Sequence, residues 1–197
     1  MSRYDGSDSY TYPDSEVLQN KAGLQEQAAL DAFEADATAI RLLQLIEHPI
    51  PGQFDLSHLQ AIHHHLFQDV YSWAGQLRTV DISKGDSRFG NCGMIERYLS
   101  EQLDQIRFED FLRNLPPDKF IERLAHFMGE INAAHPFREG NGRVQRAFCS
   151  QLAEQAGFFI DFENVSQEDM YKAMISSFRG DNRLLIELLD RICSMIE

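Results

Sequence analysis

From residue 24 onward, apolar residues recur every three or four positions in one segment after another, so the chain must bury helix faces against each other. The first run carries Ala28, Leu30, Phe33, Ala37, Ile40, Leu43 and Ile46, and His48-Pro49-Ile50-Pro51-Gly52 stops it, which predicts a long amphipathic helix over about 24–47. A second helix is expected after Asp55, with Ser57 as its cap, carrying Leu59, Ile62, Leu66, Val70 and Trp73 up to Ala74-Gly75. Further helical patterns cover about 94–112, the stretch after Pro116-Pro117-Asp118 up to Ala134, 143–155, 167–178 and 184–196, with Gly157 and Gly180-Asp181-Asn182 as stops. The period changes only once. In Thr79-Val80-Asp81-Ile82-Ser83 polar and apolar residues alternate, Lys84-Gly85-Asp86 offers a turn and Arg88-Phe89-Gly90 follows, so a short hairpin over about 78–90 is the only β-like element expected. The fold class is all-α, a helical bundle with one short β-hairpin.

Residues 1–21, rich in Ser, Asp and Tyr, are expected to form an irregular arm held down by Tyr10, Tyr12, Val17 and Leu18, and residues 22–197 a single domain. At 197 residues the chain is long enough for a proper core. Its 31 acidic and 18 basic residues give a net charge of −13, which repels phosphate polyanions and anionic lipid, so neither direct nucleic-acid binding nor a membrane role is expected. No stretch approaches the roughly 20 apolar residues of a membrane span, and the start, Met1-Ser2-Arg3-Tyr4-Asp5, lacks the apolar core of a signal peptide. The three cysteines, Cys92, Cys149 and Cys193, have no paired spacing and fit reduced, buried thiols in a cytoplasmic protein.

Chemistry concentrates in His135-Pro136-Phe137-Arg138-Glu139-Gly140-Asn141-Gly142-Arg143-Val144-Gln145-Arg146. A helix ends at a proline, a Gly-Asn-Gly turn follows and a new helix starts, so backbone amides and a positive dipole end converge on one point as an anion hole. Arg143 and Arg146 share a face of the new helix and can reach one polyphosphate with forked donors. Glu139 is the single carboxylate that a phosphate-bridging magnesium ion needs from the protein. His135 is the side chain of the loop that titrates near neutrality, and is the natural general base for an incoming hydroxyl. The consecutive His63, His64 and His65 point in different directions on their helix and make no metal pair; they are expected at the surface or partly buried.

The twelve-residue string resembles the Fic family signature H-x-F-x-[DE]-G-N-G-R-x-x-R at every defined position. The resemblance extends to Tyr10-x-Tyr12-Pro13 with Val17-Leu18-Gln19-Asn20-Lys21 and to Trp73-Ala74-Gly75 before the hairpin. It implies a Fic fold, with the hairpin as a flap beside the active-site loop 135–146, and transfer of AMP from ATP to a hydroxyl side chain of another protein. By that resemblance His135 is the base and Glu139 the ligand of Mg2+. Gly140, Asn141 and Gly142 hold the α- and β-phosphates, Arg143 meets the β-phosphate and Arg146 the γ-phosphate. Phe137 anchors the loop in the core. The flap residues Thr79, Val80, Asp81 and Ile82 dock the target protein by strand pairing, Lys84 and Gly85 border the nucleotide, and the helix with Tyr171, Met174 and Ser177 supplies the adenine pocket.

Many members of the family are restrained by an [ST]-x-x-x-E-[GN] helix whose glutamate pairs with the second motif arginine, here Arg146. Only near misses occur: Ser15-Glu16-Val17-Leu18-Gln19-Asn20 has glutamine in place of the glutamate, and Ser150-Gln151-Leu152-Ala153-Glu154-Gln155 lacks the last residue. The chain thus resembles short bacterial toxins whose inhibitory helix is a separate small antitoxin, and whose known targets include the ATPase subunits of gyrase and topoisomerase IV. Rival readings are another donor or AMP removal, and an idle module that binds nucleotide or protein.

Overall fold

The computed structural model describes residues 8–85 and 87–196; residues 1–7 of the expected arm, Asp86 of the hairpin turn and Glu197 lie outside the described residues. Seven α-helices are formed among the described residues: α1 (Gln27–Glu47), α2 (Leu56–Phe67), α3 (Ile95–Phe108), α4 (Pro117–Ala134), α5 (Asn141–Ala156), α6 (Gln167–Phe178) and α7 (Arg183–Ile192). Helix α4 is the axis. It starts with Pro117 in its first turn, where no amide partner is lost, and it buries Phe120, Ile121, Leu124, Phe127, Met128 and Ile131. Helices α3, α5, α6 and α7 pack around it, while α2 joins α5 to α1. A residue such as Leu124 or Phe148, fully removed from water, contributes about 1.5–3 kcal/mol of burial, and the whole core is built of such side chains.

Several elements end sooner than their periodicity implies. Helix α2 stops at Phe67; Val70, Tyr71 and Trp73 continue the apolar pattern as a series of turns, in which Tyr71 and Trp73 stack at 4.3 Å. Its cap is Asp55, which accepts from His58 N at 2.8 Å, and Ser57 only supports that carboxylate through its hydroxyl. Helix α7 ends at Ile192 and not at 196. There Cys193–Met195 forms a strand, β4, antiparallel to β3 (Phe158–Ile160), so the hairpin is not the only β structure. Segments of three residues carry too little periodicity to separate strand from helix, and pairing across 35 positions is set by where α7 delivers the chain. The expected hairpin is present, but its ladder is confined to β1 (Ser83–Lys84) and β2 (Ser87–Arg88).

The arm residues 8–21 lie against the domain. Thr11 and Leu18 form an isolated bridge, Val17 and Leu18 are buried, Tyr10 meets the Trp73 ring edge-on at 5.4 Å, and Lys21 N donates to Val70 O. Cys149 is buried, whereas Cys92 and Cys193 are partly exposed. Among the described residues no helix is long and apolar enough to cross a membrane.

The strand after α5 is fastened to the axis by Phe120, whose ring stacks on Phe158 at 4.0 Å and 8°. Phe120→Ala should therefore cost about 3–5 kcal/mol, read as a lowered urea midpoint with an unchanged slope.

Candidate active site

The segment between α4 and α5 has no helical hydrogen bonds of its own, yet Pro136 through Asn141 are all buried. Each peptide group must find another partner. His135 closes α4 in the left-handed conformation (φ 48°) and donates its amide to Ile131 O. Asn141 staples the loop, accepting from Phe137 N at 2.8 Å and donating to Phe137 O at 2.7 Å, so its side chain is spent on the loop and not on a ligand. Gly140 has φ 81° and lies flat on Phe67: a Cβ there would meet the ring at 2.1 Å. Phe137 is buried, as its role as an anchor requires.

This loop opens on a cavity of about 580 Å3 lined by His135, Glu139, Gly140, Asn141, Gly142, Arg143 and Arg146, with Lys84 and Phe89 of the hairpin on one side and Met170, Tyr171 and Met174 of α6 on the other. The sequence-derived base, carboxylate and cradle are thus brought to one space. Tyr171 and Met174 face it, and Lys84 reaches across with its ammonium 5.4 Å from the Tyr171 ring centre. Ser177 instead packs beneath α4 near Gly129, and Gly85 is exposed at the hairpin turn.

His135 donates from Nδ1 to the Asn132 carbonyl at 3.1 Å, which leaves Nε2 as the basic nitrogen. Phe89 stacks on the ring at 3.8 Å. Burial pushes its pKa down to about 3 against the Asn132 bond, and the charges of Arg78 and Lys84 add to that. It is neutral at physiological pH.

The two arginines of the motif differ. Arg143 is committed below the loop: it bonds Glu34 of α1, donates to Thr38 Oγ1 at 3.1 Å, lies 3.7 Å from Glu139 and covers the Phe67 ring. Glu34 is held from its other oxygen by Tyr71, whose hydroxyl pKa is raised by burial and by that carboxylate. Arg146 beside Gly142 has no carboxylate partner among the described residues; burial and Arg143 both lower its pKa, so an arriving anion would relieve it. Glu139 Oε1 accepts from Gly140 N at 2.7 Å and lines the same cavity. A single carboxylate beside an anion hole fits a magnesium ion carried in with phosphates, and among the described residues no cluster of His, Cys, Asp and Glu offers a protein-built metal cage.

Three residues that hold this site had escaped notice. Arg78 is buried behind the loop, where it donates to the carbonyls of Ala134, His135, Val80 and Gly90 and ties the hairpin to the end of α4. Glu34 and His63 are the others. His63 is fully buried, beyond the surface or partly buried position expected, with its pKa pushed down to about 3, mainly by burial. The signal was present in the spacing: Glu34 is four residues from Leu30, and His63 is four from Leu59 and three from Leu66, so each sits on its helix's apolar stripe. In the hairpin, Asp81 accepts from Cys92 N and Asn91 Nδ2, and Ile82 is buried. Thr79 meets the Tyr10 hydroxyl, and Val80 offers its carbonyl to Arg78, so all four expected docking residues also brace the hairpin.

Gly140→Ala combines a left-handed backbone with a collision against Phe67, and should abolish nucleotide binding by calorimetry while the helical circular dichroism persists. The buried histidines also set a pH dependence. His63 and His135 bind protons less readily folded than unfolded, so the unfolded chain holds more protons between about pH 3 and 6.5, and stability falls as pH drops through that window. Carboxylates with lowered pKa, such as Asp55 and Asp69, act only below about pH 4. The urea midpoint should therefore be lower at pH 5 than at pH 7, and His135→Gln should remove part of that fall.

Residues 53–153 match the model of the Fic/DOC family. The chain is 43% identical over 192 residues to the protein adenylyltransferase VbhT of Bartonella schoenbuchensis, covering 97% of this chain and 40% of that protein's length. It is 36% identical over 190 residues to the probable protein adenylyltransferase Fic of Escherichia coli, covering 96% and 94%. Among solved structures, the N-terminal Fic domain of a VirB-translocated effector of Bartonella quintana with bound ADP superposes with a TM-score of 0.88 at 28% identity, covering 95% of each chain. The BepC protein of Bartonella tribocorum with bound AMPPNP gives 0.89 at 25%, covering 95% of this chain and 97% of that one. By its family model, its relatives and its fold, this chain belongs to the Fic/DOC family.

Proposed function

We propose that this chain is a protein adenylyltransferase that moves AMP from ATP to a hydroxyl side chain of a target protein. The observation that carries the reading is the convergence on one cavity of a neutral His135, the Glu139 carboxylate, Gly142 at the start of α5 and an Arg146 guanidinium with no carboxylate partner among the described residues. The relatives named as adenylyltransferases, and the ADP and AMPPNP bound by similar domains, support it.

The chemistry follows from positions. The target oxygen attacks the α-phosphorus, the bond to the bridging oxygen of pyrophosphate breaks, and the hydroxyl proton passes to His135 Nε2. Phosphoryl-type transfer needs mainly placement and charge stabilisation, so no covalent nucleophile is required and buried Cys149 takes no part. Arg143, held by Glu34 and Thr38, presents a pre-oriented positive charge under the β-phosphate, and Arg146 takes the γ-phosphate. Gly142, in the first turn of α5, lines the cavity at the helix end whose dipole favours the phosphates. Glu139 would hold Mg2+, which when bound neutralises charge on the phosphate oxygens. Gly140 keeps that carboxylate beside the cradle.

Lys84, Tyr171 and Met174 are assigned to the nucleoside end of the cavity, with Gly85 at its rim. The target segment docks by main-chain pairing along Thr79, Val80, Asp81 and Ile82. Regulation is read from Arg146: with no glutamate on it, an [ST]-x-x-x-E-[GN] helix supplied by a small antitoxin would occupy the γ-phosphate position. This makes the chain the toxin of a bacterial, cytoplasmic pair, with a type II topoisomerase ATPase subunit, of gyrase or topoisomerase IV, as the target class. The net charge of −13 favours a protein target over direct contact with DNA.

Incubation with α-labelled ATP, magnesium and bacterial lysate is expected to label a discrete protein. His135→Ala should lower that labelling by about 100-fold or more, the usual size of a general-base contribution, with ATP affinity within a factor of about two. Labelling that survives the substitution would remove His135 from the reaction. ATP binding without transfer to any protein would favour a binding module.

A further inference from the structure

We infer that His63 is a positioning residue for the active-site loop: through a two-sided hydrogen bond it fixes the peptide plane between Glu139 and Gly140, and with it the carboxylate and the phosphate cradle. The ring lies fully buried near the end of α2. Gly75 N–H donates to Nδ1 at 2.7 Å, and since an amide nitrogen can only donate, Nδ1 must accept. The ring proton therefore sits on Nε2, which donates to the Glu139 carbonyl at 3.1 Å. Phe137 stacks on one side of this ring network at 3.9 Å and Phe67 at 4.8 Å, so the imidazole has a single orientation.

The consequence lies in the peptide it holds. Its carbonyl end is taken by His63 and its amide end, Gly140 N–H, by Glu139's own carboxylate at 2.7 Å. Rotation of that peptide would break both bonds, release the carboxylate and move Gly140 off the Phe67 ring. Asn141 anchors Phe137, two residues upstream. An apolar side chain could fill the same volume, but it could not choose a peptide orientation. His63 also couples the loop to the turn at Gly75, from which the chain leads to Arg78 and the hairpin.

Two substitutions separate the halves of this bridge. In His63→Asn the amide oxygen can still accept from Gly75 but the side chain is too short for Glu139, whereas His63→Gln can place its amide nitrogen on the Glu139 carbonyl and loses the Gly75 contact. Amide hydrogen exchange over residues 138–142, ATP binding with magnesium, and transfer kcat and KM are measured on both variants beside their urea midpoints. For one lost hydrogen bond, His63→Asn should exchange about tenfold faster in the loop and bind ATP about tenfold more weakly, and His63→Gln should stay within about threefold of the native chain at similar stability. The inference is overturned if both variants lose binding in proportion to their stability, or if Asn is the milder change. It rests on the adenylyltransferase reading only for the transfer measurement. If the native chain transfers no AMP that reading fails, while loop exchange and ATP binding still decide the role of His63.

Discussion

A loop that is buried must satisfy its peptide groups without water, and this constraint organises the site. Between α4 and α5 the backbone leaves the helix for six residues while remaining inside the protein, where each unpaired polar group would cost about 1–3 kcal/mol. Two of the partners come from distant parts of the chain, Arg78 from the hairpin's base and His63 from α2, and the third, Asn141, from the start of α5. The loop's shape is therefore a property of the whole bundle. Arg78, His63 and Asn141 hold the loop by its carbonyls, at His135, Glu139 and Phe137.

Charge follows the same logic. In a chain of net charge −13, the buried Glu34 is paired with the partly exposed Arg143, and removing the arginine would leave a buried carboxylate without its cation. Arg146 departs from the pattern, since burial and the neighbouring Arg143 lower its pKa and no carboxylate contacts it among the described residues. A binding site for a polyanion is where such a departure is tolerated. The neutral His135 lines the same cavity.

The helices, the hairpin and the loop were legible in the sequence because they depend on local spacing and on a contiguous motif. Helix α6 was located at its observed bounds, and α4 at its C-terminal end, since the His135-Pro136 step is a strong local signal. The β3–β4 pair, the early ends of α2 and α7, and the burial of His63 were not, because each depends on what packs opposite. A histidine triplet on a helix reads as surface until the facing Phe137 and the Gly75 turn are known. Glu34 is the same kind of case, an acid on an apolar stripe whose partner lies 109 positions away.

By itself, the sequence determined that the chain packs helices, where they start to within a few residues, and which twelve contiguous residues match the family signature. The tertiary structure alone decided that Arg143 is anchored and Arg146 is not, that His135 is desolvated, and that His63, Arg78 and Glu34 hold the site. The reason is physical: periodicity and caps act over one or two turns of chain, whereas desolvation and the satisfaction of buried polar groups depend on what folding brings together.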